Sequence, residues 1–181
     1  LNLSDLARDA GISDNTAKRW LSVLETGYQV LRLPPFYRNM GKRLTKGSKL
    51  YFVDTGLACH LLDIATASAL VHSPNYGALL ETAVVIDIYK RFINHGETPK
   101  LFFARTEDGA EADLLLDRAA GKYLFEIKST STLFPKHAKG LRQWQNYLGK
   151  DVKRTTLLAD VSTVQPVSKG ITAWPIAAAL L

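Results

Sequence analysis

Glu81, Asp113, Glu126 and Lys128 have the types and spacing to work around a hard cation. Tyr123-Leu124-Phe125-Glu126-Ile127-Lys128 alternates with period two, which sends Leu124, Glu126 and Lys128 to one face of a strand and Tyr123, Phe125 and Ile127 to the other. If residues 118–121 form a hairpin loop, Asp117 pairs with Lys122, and stepping along the ladder sets Asp113 opposite Glu126. Directly opposed side chains have Cβ atoms about 5 Å apart, so two carboxylates there repel unless something positive lies between them. Magnesium, or manganese in its place, would resolve the conflict, because it takes oxygen ligands and keeps waters while binding one or two carboxylates and a substrate phosphate. One of those waters would be the nucleophile. Lys128 could orient or deprotonate it, or neutralise charge growing on the phosphorus centre. An E-x-K triplet by itself is also what a charged edge strand produces.

Glu81 comes from a different element. On a helical wheel Val85, Ile88 and Phe92 lie within about 40° of it, while Asp87, Lys90, Arg91 and Asn94 gather on the opposite side. Glu81 thus points into the apolar face, where an unpaired carboxylate costs several kcal/mol and needs a cation, a metal or a proton. Asp87 and Arg91 make an ordinary exposed i,i+4 pair.

The elements that must carry these groups form the order αβββαβ: a helix over 75–94, strands over 101–105, 111–117 and 123–128, a helix over 137–148 and a strand over 155–160. The apolar tail from Ile171 to Leu181 packs back on this core. Ahead of it, Leu3, Leu6 and Ala7 have helical spacing, Gly11 breaks that helix, and Ser13 caps a second one over 14–26. This is helix-turn-helix grammar, with Ala17, Trp20, Leu21 and Leu24 inward and Asn15, Lys18, Arg19 and Ser22 on the outer face. A strand over 28–33 and a return strand over 50–53 complete a winged helix. The division is then 1–55 for a winged helix-turn-helix, 56–74 for a helical connector and 75–181 for the α/β domain with a mixed sheet.

Composition narrows the classes. With 181 residues, 46% of them hydrophobic and 22% charged, the chain can bury a proper core, which excludes a disordered tail or a coiled coil. No apolar run is long enough for a membrane span and the first residues do not read as a signal peptide, so the expectation is a cytoplasmic protein without a membrane partner. One cysteine and four scattered histidines exclude a disulfide framework and a spaced zinc motif. The net charge of +6 points to a polyanionic partner. No acid stands between Glu25 and Asp54, while Arg32, Arg38, Lys42, Arg43, Lys46 and Lys49 fall in that window and make a positive patch. Lys18, Arg19, Lys42, Arg43, Lys46 and Arg105 are candidate phosphate contacts, with Ser22 beside them, and Asn15 is suited to reading adenine. Winged helices also serve as protein-protein adaptors, and basic residues are common on a solvated helix face. The chain has no initiator Met, which is expected of a piece of a longer polypeptide.

Asp113, Glu126-Ile127-Lys128 and the upstream Glu81 resemble the PD-(D/E)xK nuclease superfamily, whose restriction-endonuclease-like fold spans about residues 75–160 here. Ala112 stands where a proline often precedes the aspartate. Gln143 and Tyr147 resemble the Q-x-x-x-Y element of the exonuclease branch as accessory residues, although Leu141, Trp144 and Leu148 of the same helix read as core. Over its whole length the chain resembles the C-terminal half of a group of bacterial and archaeal AAA+-type ATPases. The resemblance is carried by the helix-turn-helix, Lys49 to Leu57, Gly77-Ala78-Leu79-Leu80-Glu81, Arg105 through Asp113 and Glu126 to Ser129. It implies an upstream P-loop domain in the same polypeptide. No G-x-x-x-x-G-K-[ST] occurs, so no ATP site is expected in this segment. Three functions stay open: a magnesium-dependent deoxyribonuclease, a catalytically silent DNA-binding or regulatory module of the ATPase, and a protein-protein adaptor, any of them in an oligomer.

Overall fold

Asn2 accepts the backbone N–H groups of Ser4 and Asp5, and Ser13 accepts that of Thr16, so both side chains satisfy donors that a helix start leaves orphaned. In the computed structural model, which describes residues 2–36, 47–106 and 108–180, these caps open α1 (Leu3–Asp9) and α2 (Asp14–Thr26). Gly11 turns the chain between them at φ +65°, a left-handed conformation that only a residue without Cβ adopts freely. Ala7, Ala17 and Leu21 are buried, but Trp20 and Leu24, expected inside, are 60% and 43% exposed. The seven residues of α1 span only about 10 Å, enough to cover the Ala17–Leu21 stripe and no more.

β1 (Val30–Leu33) and β2 (Lys49–Phe52) pair antiparallel, with Val30 opposite Phe52 and Leu33 opposite Lys49. α3 (Thr55–Leu61) and α4 (Ala67–His72), each opened by a capping side chain, Asp54 and Thr66, form the connector. The remaining elements are α5 (Tyr76–Asn94), β3 (Lys100–Arg105), β4 (Glu111–Arg118), β5 (Gly121–Lys128), α6 (Lys139–Leu148), β6 (Val152–Ala159), β7 (Gln165–Ser168), β8 (Ile171–Pro175) and α7 (Ala177–Leu180). The protein is therefore α/β. Its larger sheet runs β3-β4-β5-β6-β8-β7 and is mixed: β4 is antiparallel to both β3 and β5, β6 lies parallel to both β5 and β8, and β7 returns antiparallel to β8. The expected αβββαβ order is present from α5 to β6. The apolar tail does return to the core, as strand β8 with Ile171 and Ala173 buried. β7 has no counterpart in the sequence reading, because four residues including Pro166 give no periodicity to detect.

Each sheet face buries its own core. Leu141, Trp144 and Leu148 of α6 pack on Leu115, Leu124 and Leu157, while Val84, Val85 and Ile86 of α5 share a cluster with Leu114, Leu116, Ile127 and Leu158 on the other side. Leu33 and Tyr51 belong to that second cluster. The β1–β2 hairpin, read from sequence as the wing of an N-terminal module, is thus built into the core of the C-terminal sheet. Residues 34–36 continue along the β3 edge, where Phe103 N–H donates to Pro34 O and Phe36 N–H to Phe103 O, so the edge strand is covered. Among the described residues no helix is long and apolar enough to cross a membrane.

Candidate functional site

The β4–β5 register is the expected one, with Asp117 opposite Lys122 and Leu114 opposite Phe125, although the loop is tighter and Arg118 already pairs with Gly121. Beyond Leu114 the backbone ladder stops. Asp113 replaces it with its side chain: Oδ2 accepts the N–H of Ile127 at 2.9 Å, inside the stretch between Glu126 and Lys128. Asp113 and Glu126 are both buried. Two acids on adjacent strands are held together by this bond although their charges oppose it.

The cation that relieves them comes from β2. Lys49 Nζ lies 2.9 Å from Glu81 Oε1, 3.0 Å from Glu111 Oε1 and 3.1 Å from Asp113 Oδ1, and Tyr51 donates its hydroxyl to Glu81 Oε1 at 2.6 Å. Glu81 therefore faces inward as its helical position requires, and its partners are an ammonium and a phenol. Burial alone would push Lys49 toward losing its proton. Asp113, Glu81 and Glu111 together outweigh burial and hold the ammonium above the ordinary lysine range. Burial, then the charge of Glu81, keeps Tyr51 firmly protonated. Neither Lys49, Tyr51 nor Glu111 was singled out as a site residue by sequence: Lys49 was counted in the positive patch. The signals available were the i,i+2 pairs Lys49/Tyr51 and Glu111/Asp113, each of which puts two polar groups on one face of a strand.

Glu126 has a different neighbour. Its Oε1 lies 2.6 Å from Lys128 Nζ, its side chain is 10% exposed, and its buried Oε2 has no hydrogen-bond partner among the described residues. Burial, followed by the charge of Asp113, raises its carboxyl to about 7, with Lys128 pulling the other way. Lys128 in turn is pushed down by burial, and Glu126, Asp113 and Glu111 together outweigh burial and hold it above the ordinary lysine range.

α6 fixes the start of β4 from the opposite face. Trp144 Nε1 donates to Ala110 O at 3.0 Å, and Gly140 lies so close to Glu111 that a Cβ there would clash with its carbonyl oxygen and stand 3.0 Å from its amide nitrogen. Gly140→Ala should gain up to about 1 kcal/mol of helix propensity but lose about 1–3 kcal/mol to the clash with backbone that cannot swing aside. Net destabilisation in urea unfolding is the expected result, and a more stable variant would show that α6 shifts freely. Tyr147 packs edge-on against Trp144 and its hydroxyl lies 3.5 Å from Asp108 Oδ2, while Gln143 is half-buried beside it. That arrangement places Tyr147 at the turn before β4.

The expected polyanion contacts divide three ways. Asn15, Lys18, Arg19 and Ser22 are all exposed on α2, as predicted. Arg105 is half-exposed at the rim of the acidic cluster, 3.8 Å from Glu111 Oε2. Of the patch between Glu25 and Asp54, Arg32 pairs with Glu25 at 2.9 Å and Lys49 turns inward, while Arg38 lies outside the described residues. Lys42, Arg43 and Lys46 lie outside the described residues.

Magnesium is the ion the resemblance implies, and the side chains as arranged do not fit it. The space shared by Glu81, Glu111 and Asp113 is taken by Lys49 Nζ at N–H···O distances, whereas magnesium requires oxygens at about 2.0–2.1 Å. Among the described residues no group of three or more His, Cys, Asp or Glu side chains is arranged to hold a metal ion.

Fold and site together define an α/β protein in which an acidic cluster at the parting of two sheet strands is closed by a lysine from a packed-on hairpin. The chain belongs to the family described as "Domain of unknown function (DUF4143)", which matches residues 76–179. Residues 1–68 match a second family, "Domain of unknown function (DUF8612)", so the hairpin lies within one family's span while its core lies with the other's. "Uncharacterized protein Rv2008c" of Mycobacterium tuberculosis and "Uncharacterized protein Mb2031c" of Mycobacterium bovis are each 36% identical over 129 residues, which is 71% of this chain and 28% of the relative. The match thus spans little more than a quarter of those relatives. No solved structure matches.

Proposed function

We propose that the chain is a DNA-binding, regulatory C-terminal module of a longer AAA+-type ATPase, and that its nuclease-like site does not cut DNA while Lys49 sits among the acids. The observation that carries the silent assignment is the set of three carboxylates within 3.1 Å of Lys49 Nζ. DNA binding is favoured by Lys18 and Arg19, exposed on α2 with no ion pair among the described residues, beside Asn15 and Ser22. The basic residues near the sheet favour it less: Arg142 donates to Ser168, Arg154 stacks over Trp174 and Lys136 over Phe134. A second reading, a magnesium-dependent deoxyribonuclease, is favoured by the buried Glu126 Oε2, which lacks a partner among the described residues, and by Lys128 beside it.

DNA affinity measured against salt tests the first part. A linear fall of log affinity with log salt is expected, and Lys18→Ala with Arg19→Ala should reduce the slope by about 2. No binding at low salt would sink the DNA reading and leave a protein partner, for which the exposed Trp20, Val23 and Leu24 offer an apolar surface. Supercoiled, linear and single-stranded DNA should survive incubation with magnesium or manganese. Cleavage that disappears in Glu126→Gln would establish the nuclease instead.

A further inference from the structure

We infer that Lys49 is a built-in counter-ion: its ammonium stands where a divalent cation would join Glu81 and Asp113, so the two are mutually exclusive occupants of one site. The inference rests on reading the acidic cluster as nuclease-like and not on DNA binding. Glu81 Oε1 and Asp113 Oδ1 come from a helix and a strand far apart in the chain, yet both hydrogen-bond the same nitrogen, and Glu111 Oε1 is equally near it. One positive charge faces three negative ones there, which leaves the cluster with excess negative charge in a half-buried setting. Arg105, at 3.8 Å from Glu111, offsets little of that excess because it is half-exposed.

A second feature points to a ligand independently of the cluster. The side chain of Glu126 is nine-tenths buried, and its Oε2 is sealed from solvent without a donor among the described residues. Glu126 directly precedes Ile127, whose N–H donates to Asp113 Oδ2 at 2.9 Å. A buried carboxylate oxygen left in this state is a candidate ligand position, one residue from the N–H that Asp113 accepts. An ammonium reaches carboxylates at N–H···O distances and has no geometry for a fourth oxygen, whereas a divalent ion draws oxygens closer and takes six. The lysine therefore supplies the charge that the fold needs and leaves the Glu126 oxygen unserved.

Manganese binding to the 181-residue chain, followed by electron paramagnetic resonance after stripping with a chelator, tests this. Lys49→Gln keeps a hydrogen-bond donor and removes the charge, and is expected to bind Mn2+ at least tenfold more tightly than the unsubstituted chain. Adding Asp113→Asn to Lys49→Gln should abolish the gain, and Lys49→Arg should show none. Should Lys49→Gln be unfolded without metal, Mn2+ must restore its circular dichroism, since the ion would replace the lost charge. Equal Mn2+ affinity in the two chains, a gain that survives Asp113→Asn, or an unfolded Lys49→Gln that Mn2+ fails to refold would each overturn the inference. Tight Mn2+ binding by Lys49→Gln without DNA cleavage would sink the nuclease reading alone and leave the counter-ion role intact.

Discussion

Lys49→Met is expected to lower the free energy of unfolding by about 3–5 kcal/mol at neutral pH, the range found when one partner of a buried ion pair is removed and the other is left behind. Methionine fills a similar volume, so the loss measures charge and not a cavity. What remains is Glu81, Glu111 and Asp113 around the position of one lost charge, with Tyr51 as the donor left to Glu81. The side chain of Lys49 is 23% exposed, which shields its interactions from water far better than a surface pair. Since domains of this size are stable by only about 5–15 kcal/mol, such a loss would consume a large share of the total. Urea unfolding of the variant, of Glu81→Gln and of the double variant closes a thermodynamic cycle. Favourable coupling of about 1–3 kcal/mol between the two sites is expected. A Lys49→Met chain within about 1 kcal/mol of the parent would mean that the ammonium is not what holds the acids together.

The comparison of sequence with structure turns on the same residue. Period-two and period-3.6 patterns are local, and they located α2, α5, β4 and β5 to within a few residues, the helices because each buries one face and the strands although both of their faces are buried. The hairpin register followed from one loop assumption, and with it the neighbourhood of Asp113 and Glu126. The inward direction of Glu81 was legible too, as was its need for a positive partner. Which partner was not legible. Lys49 lies 32 residues before Glu81 and 64 before Asp113, and a charge count over a window treats every lysine as solvated. Only the packing of Leu33 and Tyr51 into the α5 face of the sheet brings the hairpin, and Lys49 with it, to the acids. Trp20 and Leu24 failed for the converse reason: a helical stripe says which side is apolar, and a seven-residue α1 decides how much of it is covered.

Glu126→Gln should make the protein more stable than the unsubstituted chain at pH 8 and leave the two nearly equal at pH 4. Glu126 is held at about 7 in the folded protein, against 4.5 for an unperturbed glutamate. Between those values the folded chain keeps a proton that the unfolded chain releases, so stability declines as pH climbs through the window from about 4.5 to 7, and the penalty is complete above it. At about 1.4 kcal/mol for each pH unit of displacement, the penalty reaches at most about 3.5 kcal/mol. Burial is its main source, with the Asp113 and Glu111 charges on β4 adding to it and Lys128 on β5 subtracting. Glutamine removes the charge and retains the shape, so it escapes the first three contributions and forfeits only the pairing with Lys128. That pairing is the smaller quantity if the carboxyl truly sits high, because a dominant Lys128 would have drawn it below the ordinary range. Urea midpoints measured at intervals from pH 4 to pH 8 distinguish the cases. Two curves that diverge between pH 5 and pH 7, with the glutamine chain above, support an acid strained by its surroundings, whereas a glutamine chain that is less stable at pH 8 would mean the ion pair outweighs burial.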